Sequence, residues 1–351
     1  MEGDLIKTYP LLTPLSWLYG CGVGLRNFMY EVGIFKSKSY DVPIINVGNI
    51  TAGGTGKTPH TEYIIRLLQD SNQVAVLSRG YKRKSKGFVL ADMSTPMSMI
   101  GDEPYQMKKK FPKIHMAVDK DRCHGIERLI SKSTQPEVDI ILLDDAYQHR
   151  HVQPGVNILL MDYHRLVYFD KLLPAGRLRE SKSSMNRADV VIVTKCPSYI
   201  TPMDKRGIER SLCLEKWQRL FFTTYRYGNP YKITAPSQTI NIDELKGKKI
   251  TLVSGIASPE QLEYDLSKYE LSFTPLHFPD HHNFTTGDIK SIKEKSKDGI
   301  ILMTEKDAAR AEGAFGEDAD RIYVIPIEVE FMGENQDKEF NQIIKSYISK
   351  N

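Results

Sequence analysis

The apolar run Pro43-Ile-Ile-Asn-Val-Gly-Asn-Ile50 leads directly into Thr51-Ala-Gly-Gly-Thr-Gly-Lys-Thr58, a strand signal followed by a glycine-rich turn and a Lys-Thr pair. This order constrains the fold more than any other feature of the chain, because it calls for a buried strand, a tight turn and a helix start in succession. Glycine lets backbone N–H groups converge on phosphate oxygens without side chains in the way. A helix beginning near Lys57 adds the positive end of its dipole. The expected ligand is a nucleoside triphosphate, held by Thr51, Ala52, Gly53, Gly54, Thr55, Gly56, Lys57 and Thr58. Lys57 then supplies a mobile charge for the β and γ phosphates, and the Thr58 hydroxyl completes the shell of a Mg²⁺ ion.

The strict phosphate-loop pattern has glycine where this chain has Thr51. The core Gly53-Gly54-Thr55-Gly56-Lys57-Thr58 also resembles the variant loop of dimeric partitioning and metal-insertion ATPases, but those carry a lysine at the position of Ala52. Without a ligand the segment would be a glycine-rich hairpin, a reading that leaves the ordered strand, loop and Lys-Thr pair unexplained.

The chain has 351 residues, enough for two domains or one large one, and an ordinary apolar fraction of 40%. Its net charge of +4 is too small to imply a nucleic-acid partner, although it tolerates an anionic substrate or lipid surface. Cys21, Cys123, Cys196 and Cys213 lack metal-ligand spacing and fit free thiols. From Thr8 to Leu25 there is no charged residue, and Leu11, Leu12, Leu15, Trp17, Leu18 and Tyr19 fall in this stretch. Pro10, Pro14, Gly20, Gly22 and Gly24 are expected to interrupt it. It is short for a membrane span and lacks a signal-peptide cleavage pattern, so an interfacial helix is expected, with Lys7, Arg26, Lys36 and Lys38 available to anionic lipid. The alternative is a hydrophobic helix packed on its own domain.

Further along, Gln73-Val-Ala-Val-Leu-Ser, Val138-Asp-Ile-Ile-Leu-Leu-Asp144-Asp145, Val156-Asn-Ile-Leu-Leu-Met-Asp162 and Asp189-Val-Val-Ile-Val-Thr are apolar runs separated by helical stretches. Such alternation predicts a doubly wound α/β fold with a mostly parallel sheet. Past Tyr225 the texture changes, and short strands recur at Lys249, Leu271, Gly299 and Arg321. The expected organisation is an N-terminal membrane-associated segment over 1–38, a phosphate-loop domain over 39–225 and a smaller α/β domain over 226–351.

Asp144 and Asp145 end an apolar strand, where a nucleotide enzyme needs a carboxylate for Mg²⁺. Gly101-Asp102-Glu103-Pro104 and Pro279-Asp280-His281-His282 read alone as ordinary turns, although a histidine beside an acid can orient a base near neutral pH. A metal site at His281 and His282 is disfavoured, since sequence neighbours rarely point at one ion. Lys82, Arg83 and Lys84 read as solvated surface. Arg177, Arg179 and Glu180, in a loop after Pro-Ala-Gly, are better placed for a ligand.

Taken together, these motifs resemble the tetraacyldisaccharide 4'-kinase family of Gram-negative bacteria. The likeness lies in Val47-Gly-Asn-Ile-Thr-Ala-Gly-Gly-Thr-Gly-Lys-Thr-Pro59, Leu77-Ser-Arg-Gly-Tyr81, Gly101-Asp-Glu-Pro104, Asp144-Asp-Ala-Tyr-Gln-His-Arg150, Leu172-Leu-Pro-Ala-Gly-Arg-Leu-Arg-Glu180, Asp280-His281 and Thr304-Glu-Lys-Asp307, in family order through most of the chain. Thr51 in place of glycine is normal for that family. The resemblance implies transfer of the ATP γ-phosphate to a sugar hydroxyl of an acylated disaccharide lipid, with Mg²⁺, at the cytoplasmic face of the inner membrane. No nucleic-acid partner and no obligate protein partner is expected. By the same resemblance Asp102 is the general base with His281 as its partner, and Lys57 joins them as a catalytic residue. Thr58, Asp144, Asp145 and Glu180 serve the metal, and Arg79, Arg122, His149 and Arg179 contact substrate or phosphate. His282, directly after His281, leaves open which imidazole faces the reaction. The alternatives are a nucleotide-driven switch or metal-insertion ATPase, which would hydrolyse ATP without an acceptor, and a soluble small-molecule kinase, which would not need the segment Thr8 to Leu25.

Overall fold

The computed structural model describes residues 8–350 except 257, 258, 280, 281, 283, 298 and 312. The chain divides into two compact units, one made of residues 1–225 and 329–351 and the other of residues 226–328.

The larger unit is built on a nine-stranded sheet. In chain order its strands are β1 (Ile44–Gly48), β2 (Val74–Ser78), β3 (Val89–Ala91), β4 (His115–Val118), β5 (Ile140–Asp144), β6 (Val156–Asp162), β7 (Val190–Thr194) and β8 (Arg219–Tyr227), with the late β15 (Ile327–Phe331) beside β8. The spatial order is β15-β8-β7-β6-β1-β5-β2-β4-β3. From β8 to β4 every pairing is parallel, and β3 closes the far edge antiparallel to β4. The continuous apolar runs have this cause: β1, β2, β5 and β7 are buried at every residue, which requires cover on both faces.

One face carries a continuous core. Ile45, Val47, Val76, Leu142, Ile158 and Ile192 meet Ile64, Ile65 and Leu68 of α2 (Lys57–Leu68) and Met107 of α4 (Asp102–Lys110), which follows the short α3 (Met97–Ile100). The opposite face holds two smaller clusters. One packs Ile126 and Leu129 of α5 (Arg122–Leu129) on Leu77 and Ile141, and the other packs Ile208 and Leu212 of α6 (Pro202–Leu212) on Val191 and Val193. Between β5 and β6 the chain crosses this face without an α-helix, so Asp145, Gln148 and His149 sit on irregular backbone.

The amino-terminal segment is an unbroken helix, α1 (Thr13–Glu31), preceded by a 3-10 turn at Pro10–Leu12. The interruptions expected from Pro14 and the three glycines do not occur. Pro14 lies in the first turn, where a missing N–H is harmless, and glycine in a helix costs only about 1 kcal/mol against alanine. The helix is amphipathic in reverse. Its inner face is polar: the Ser16 hydroxyl donates to the Leu172 carbonyl at 3.0 Å and accepts from the Ala175 N–H at 2.9 Å, while Arg150 donates to the Asn27 carbonyl at 2.9 Å. Leu11, Leu15, Trp17, Leu18, Leu25 and Phe28 face outward, with Trp17 70% and Leu18 71% exposed. Among the described residues no helix is long and apolar enough to cross a membrane.

The smaller unit has a six-stranded sheet, order β10-β9-β14-β13-β11-β12. Its strands are β9 (Tyr231–Lys232), β10 (Ala235–Thr239), β11 (Ile250–Ser254), β12 (Phe273–His277), β13 (Ile300–Thr304) and β14 (Ile322–Ile325), and its helices are α7 (Pro259–Ser267), α8 (Thr286–Lys295) and α9 (Glu305–Arg310). The central strands β12, β11, β13 and β14 are parallel. Residues 329–351, assigned from sequence to this unit, belong instead to the larger one. The reason is α10 (Gln336–Ile348), whose apolar stripe of Phe340, Ile344 and Tyr347 joins the main core, where Phe340 packs against Phe221, Phe331 and Tyr63.

Candidate functional site

Carboxyl ends of parallel strands gather the chemistry-bearing residues, as expected for an open α/β sheet. After β1 the loop 49–56 turns into α2, with Gly53 at φ 126° and Gly56 at φ 85°, conformations open to glycine. Thr51 stands where a stricter motif has glycine because its backbone is extended and paired. It bridges Leu178, the Ala52 N–H donates to the Arg177 carbonyl at 2.7 Å, and the Arg179 N–H donates to the Ile50 carbonyl at 2.7 Å. This short ladder fixes the Pro-Ala-Gly loop, with Arg177 and Arg179, against the phosphate loop.

Lys57 Nζ lies 3.6 Å from Asp145 Oδ1, and Arg179 lies 3.2 Å from the same oxygen. Burial raises the Asp145 carboxyl, but Lys57 and Arg179 outweigh it and hold the group below the usual carboxylate range. Asp145 has φ 52°, a left-handed conformation that aims its side chain back at the loop. Asp144 behaves oppositely. Burial, with Glu103 and Asp145 alongside, pushes it well above the usual range despite Lys57 and a 3.0 Å bond from Ser78 Oγ. Its Oδ1 is buried with no hydrogen-bond partner. An acid held this way, beside a second carboxylate and near a lysine, is set up for a cation. Glu103 directly follows Asp102 at the start of α4, so that helix N-terminus faces the same cluster.

Two further residues assigned by resemblance are deeply buried. Arg122 is 1% exposed, and its guanidinium donates to the main-chain carbonyls of Asp119 and, at 3.2 Å, Asp144. It stands behind the acid pair as a strut, with its buried Nε–H left without a hydrogen-bond partner. Glu180, assigned to the metal with Asp144 and Asp145, accepts from Arg187 through Oε2 at 2.5 Å, while its Oε1 is buried with no hydrogen-bond partner. A carboxylate that is 1% exposed needs a paired cation, and Arg187, stacked 4.7 Å from the Tyr147 ring, provides it. Arg79 and Arg122 both act on His149, which burial and these charges lower to about 4, so the imidazole is neutral at physiological pH.

His281 lies outside the described residues. Within the smaller unit, His282 Nε2 is 2.9 Å from Asp288 Oδ2 at the N-terminus of α8, and its ring stacks on Phe278 at 5.1 Å. Several further residues shape the loop. Asn49 Nδ2 donates to Thr55 Oγ1 at 2.7 Å, and Gln148 Nε2 donates to the Asn49 carbonyl at 2.7 Å. Thr194 and Lys195 at the end of β7, and His60 on α2, donate to loop carbonyls. The only sequence signal for His60 was its position four residues past Gly56.

A protein-family model described as tetraacyldisaccharide-1-P 4'-kinase matches residues 8–349. A relative from Phocaeicola vulgatus, named tetraacyldisaccharide 4'-kinase, is 53% identical over 360 residues, covering 100% of this chain and 98% of the relative. One of the same name from Bacteroides fragilis is 50% identical over 365 residues, covering 100% and 96%. Among solved structures, LpxK from Aquifex aeolicus in complex with ATP superposes with a TM-score of 0.77 at 28% identity, covering 96% of this chain and 98% of that one. With a family match across nearly its whole length and relatives this similar, the chain belongs to the tetraacyldisaccharide-1-P 4'-kinase family.

Proposed function

We infer that this protein transfers the γ-phosphate of ATP to the 4'-hydroxyl of a tetraacyldisaccharide 1-phosphate, a step of lipid A biosynthesis, at the cytoplasmic face of the inner membrane. The observation that carries the reading is the grouping of Lys57, Asp145 and Arg179 around a phosphate loop, with the unpaired Oδ1 of Asp144 behind it. Family membership and the ATP-bound neighbour support the donor.

The residues present fit Mg²⁺. Among the described residues no three His, Cys, Asp or Glu side chains form a metal cage, but Mg²⁺ uses one or two carboxylates together with waters and phosphate oxygens. Thr58 and Asp144 would hold the ion, with Asp145 next to them. When bound, it neutralises charge on the transferring phosphoryl group. Lys57 positions the β and γ phosphates. Arg179, fixed by the ladder to Ile50, presents a guanidinium at the same mouth. In this reading Asp102 takes the proton of the sugar hydroxyl late in the transfer and His281 steadies that carboxylate, a contribution typically of ~10²- to 10⁴-fold.

The reversed helix α1 supports action at a membrane. Its outward leucines and Trp17 would bury their apolar area in a lipid interface, and its inner face is bonded to the loops that carry Gln148 and Arg179. The test is transfer of labelled phosphate from ATP to a purified lipid A disaccharide precursor in mixed micelles. Labelled lipid is the expected product. ATP hydrolysis that ignores the lipid would overturn the reading and favour a nucleotide-driven switch.

A further inference from the structure

Three consecutive carbonyls of the phosphate loop are each taken by a side chain from one side. Lys195 Nζ donates to Gly54 O, Thr194 Oγ1 donates to Thr55 O at 2.9 Å, and His60 Nδ1 donates to Gly56 O at 2.7 Å. Lys195 is itself held by Asp162 Oδ2 at 2.7 Å, so the ends of β6 and β7 anchor the first two donors. His60 is 3% exposed. Because its Nδ1 faces a carbonyl, that nitrogen carries the proton, and Nε2 accepts from Thr223 Oγ1 of β8 at 3.0 Å. The imidazole therefore links the loop to β8 through one fixed tautomer.

In a planar trans peptide the carbonyl and the following N–H point in opposite directions. Pinning Thr55 O and Gly56 O toward β7 and β8 therefore turns the N–H groups of Gly56 and Lys57 to the other side, into the hollow of the loop. The Thr55 N–H, after the first pinned carbonyl, is turned back to Gly53 O at 3.1 Å. A glycine-rich loop left alone samples many conformations, and ordering it on ligand binding costs free energy.

We propose that His60, together with Thr194 and Lys195, forms a positioning set that holds the phosphate loop in its anion-binding conformation before the nucleotide arrives. The inference rests on the nucleotide-binding reading above and adds residues to it. His60 does not touch the reacting atoms. It acts through Gly56, next to Lys57, so its loss lowers the fraction of loop ready for phosphate and weakens apparent affinity by that fraction. Once nucleotide is saturating, the loop is held by the ligand and turnover recovers.

The experiment measures ATP affinity by calorimetric titration without acceptor, and KM for ATP and kcat with acceptor, for the full chain and the variants His60→Leu, His60→Asn and Lys195→Met. Asparagine places an amide donor near the position of Nδ1, whereas leucine has none. In His60→Leu, loss of one buried hydrogen bond predicts about a tenfold rise in Kd and KM for ATP, with kcat within about twofold. His60→Asn should recover most of the affinity. A merely structural role would instead reduce kcat through loss of folded enzyme and leave KM alone, and that pattern overturns the proposal. Unchanged affinity in folded His60→Leu and Lys195→Met overturns it as well. If His60→Leu does not fold, the proposal stands or falls on Lys195→Met, which should weaken affinity in the same way. Wild-type protein that does not bind ATP would overturn the nucleotide reading itself and this inference with it.

Discussion

Tyr19 of α1 donates its hydroxyl hydrogen to the main-chain carbonyl of Arg179 across 2.8 Å, joining the helix with the exposed apolar face to a loop at the phosphate site. Replacing Tyr19 with phenylalanine removes that bond and keeps the ring. Activity on acceptor embedded in vesicles should fall about fivefold, the equivalent of one hydrogen bond, while binding of the protein to the same vesicles stays unchanged. Equal activity of the two proteins would mean that the helix and the loop are not coupled.

The outer face of α1 makes the complementary prediction. Serine at both Trp17 and Leu18 removes two large side chains that are already in water, so the fold should lose little stability. Each contributes roughly 1.5–3 kcal/mol when buried in lipid, and partitioning to vesicles should weaken about a hundredfold or more in a flotation assay. Undiminished flotation would show that another surface holds the membrane.

Lys57→Ala should damage affinity and rate together. The lysine lies 3.6 Å from Asp145 Oδ1, and in the proposed transfer it would stabilise charge on the donor phosphates. A loss of about 10²- to 10³-fold in kcat/KM for ATP is expected. Normal saturation with ATP would remove Lys57 from the site.

Asp102→Ala and His281→Ala should behave differently, with kcat falling by ~10²-fold or more and ATP affinity nearly unchanged. His282→Ala should cost stability, since its imidazole is bonded to Asp288 at the start of α8, and should leave turnover of the folded protein intact. Turnover lost in His282→Ala and kept in His281→Ala would reverse the assignment.

Stability should also depend on His60 in mildly acidic solution. Burial lowers this imidazole to about 4 from an ordinary value of 6.5, while its bond to Gly56 pulls the other way. Between those values the unfolded chain takes up a proton that the folded chain refuses, so stability is fully present above pH 6.5 and falls as pH drops toward 4. The loss attributable to this group approaches about 3 kcal/mol. Urea unfolding at pH 7.5 and pH 5 should show a smaller difference in His60→Asn than in the wild type. Identical pH dependence would assign the acid loss to other groups.

The placement of the phosphate loop after β1 and of Asp144 at the end of β5 was legible in the sequence, because fully buried parallel strands must be continuous apolar runs and their polar ends stand out. The return of residues 329–351 was not. An amphipathic stripe such as Phe340 and Ile344 states that a helix packs on something, not on which sheet. For Arg122 and Glu180 the motif could not give the burial or the partners, the Asp144 carbonyl and Arg187, because these are set only in the folded chain. His60 was silent because its meaning depends on Thr223, far along the chain. In α1 the usual rule was inverted, since the polar side is the docked side.

The path of the chain through β8 and β15 has a practical consequence. These strands are neighbours at one edge of the large sheet, and the smaller unit begins where the first ends and finishes where the second starts. The smaller unit is therefore an insertion, and a shortened polypeptide bridged across it retains the phosphate loop, Asp144, Asp145 and Asp102 while losing His281. Nucleotide binding can thus be measured apart from His281 by excision, without altering a single residue of the loop.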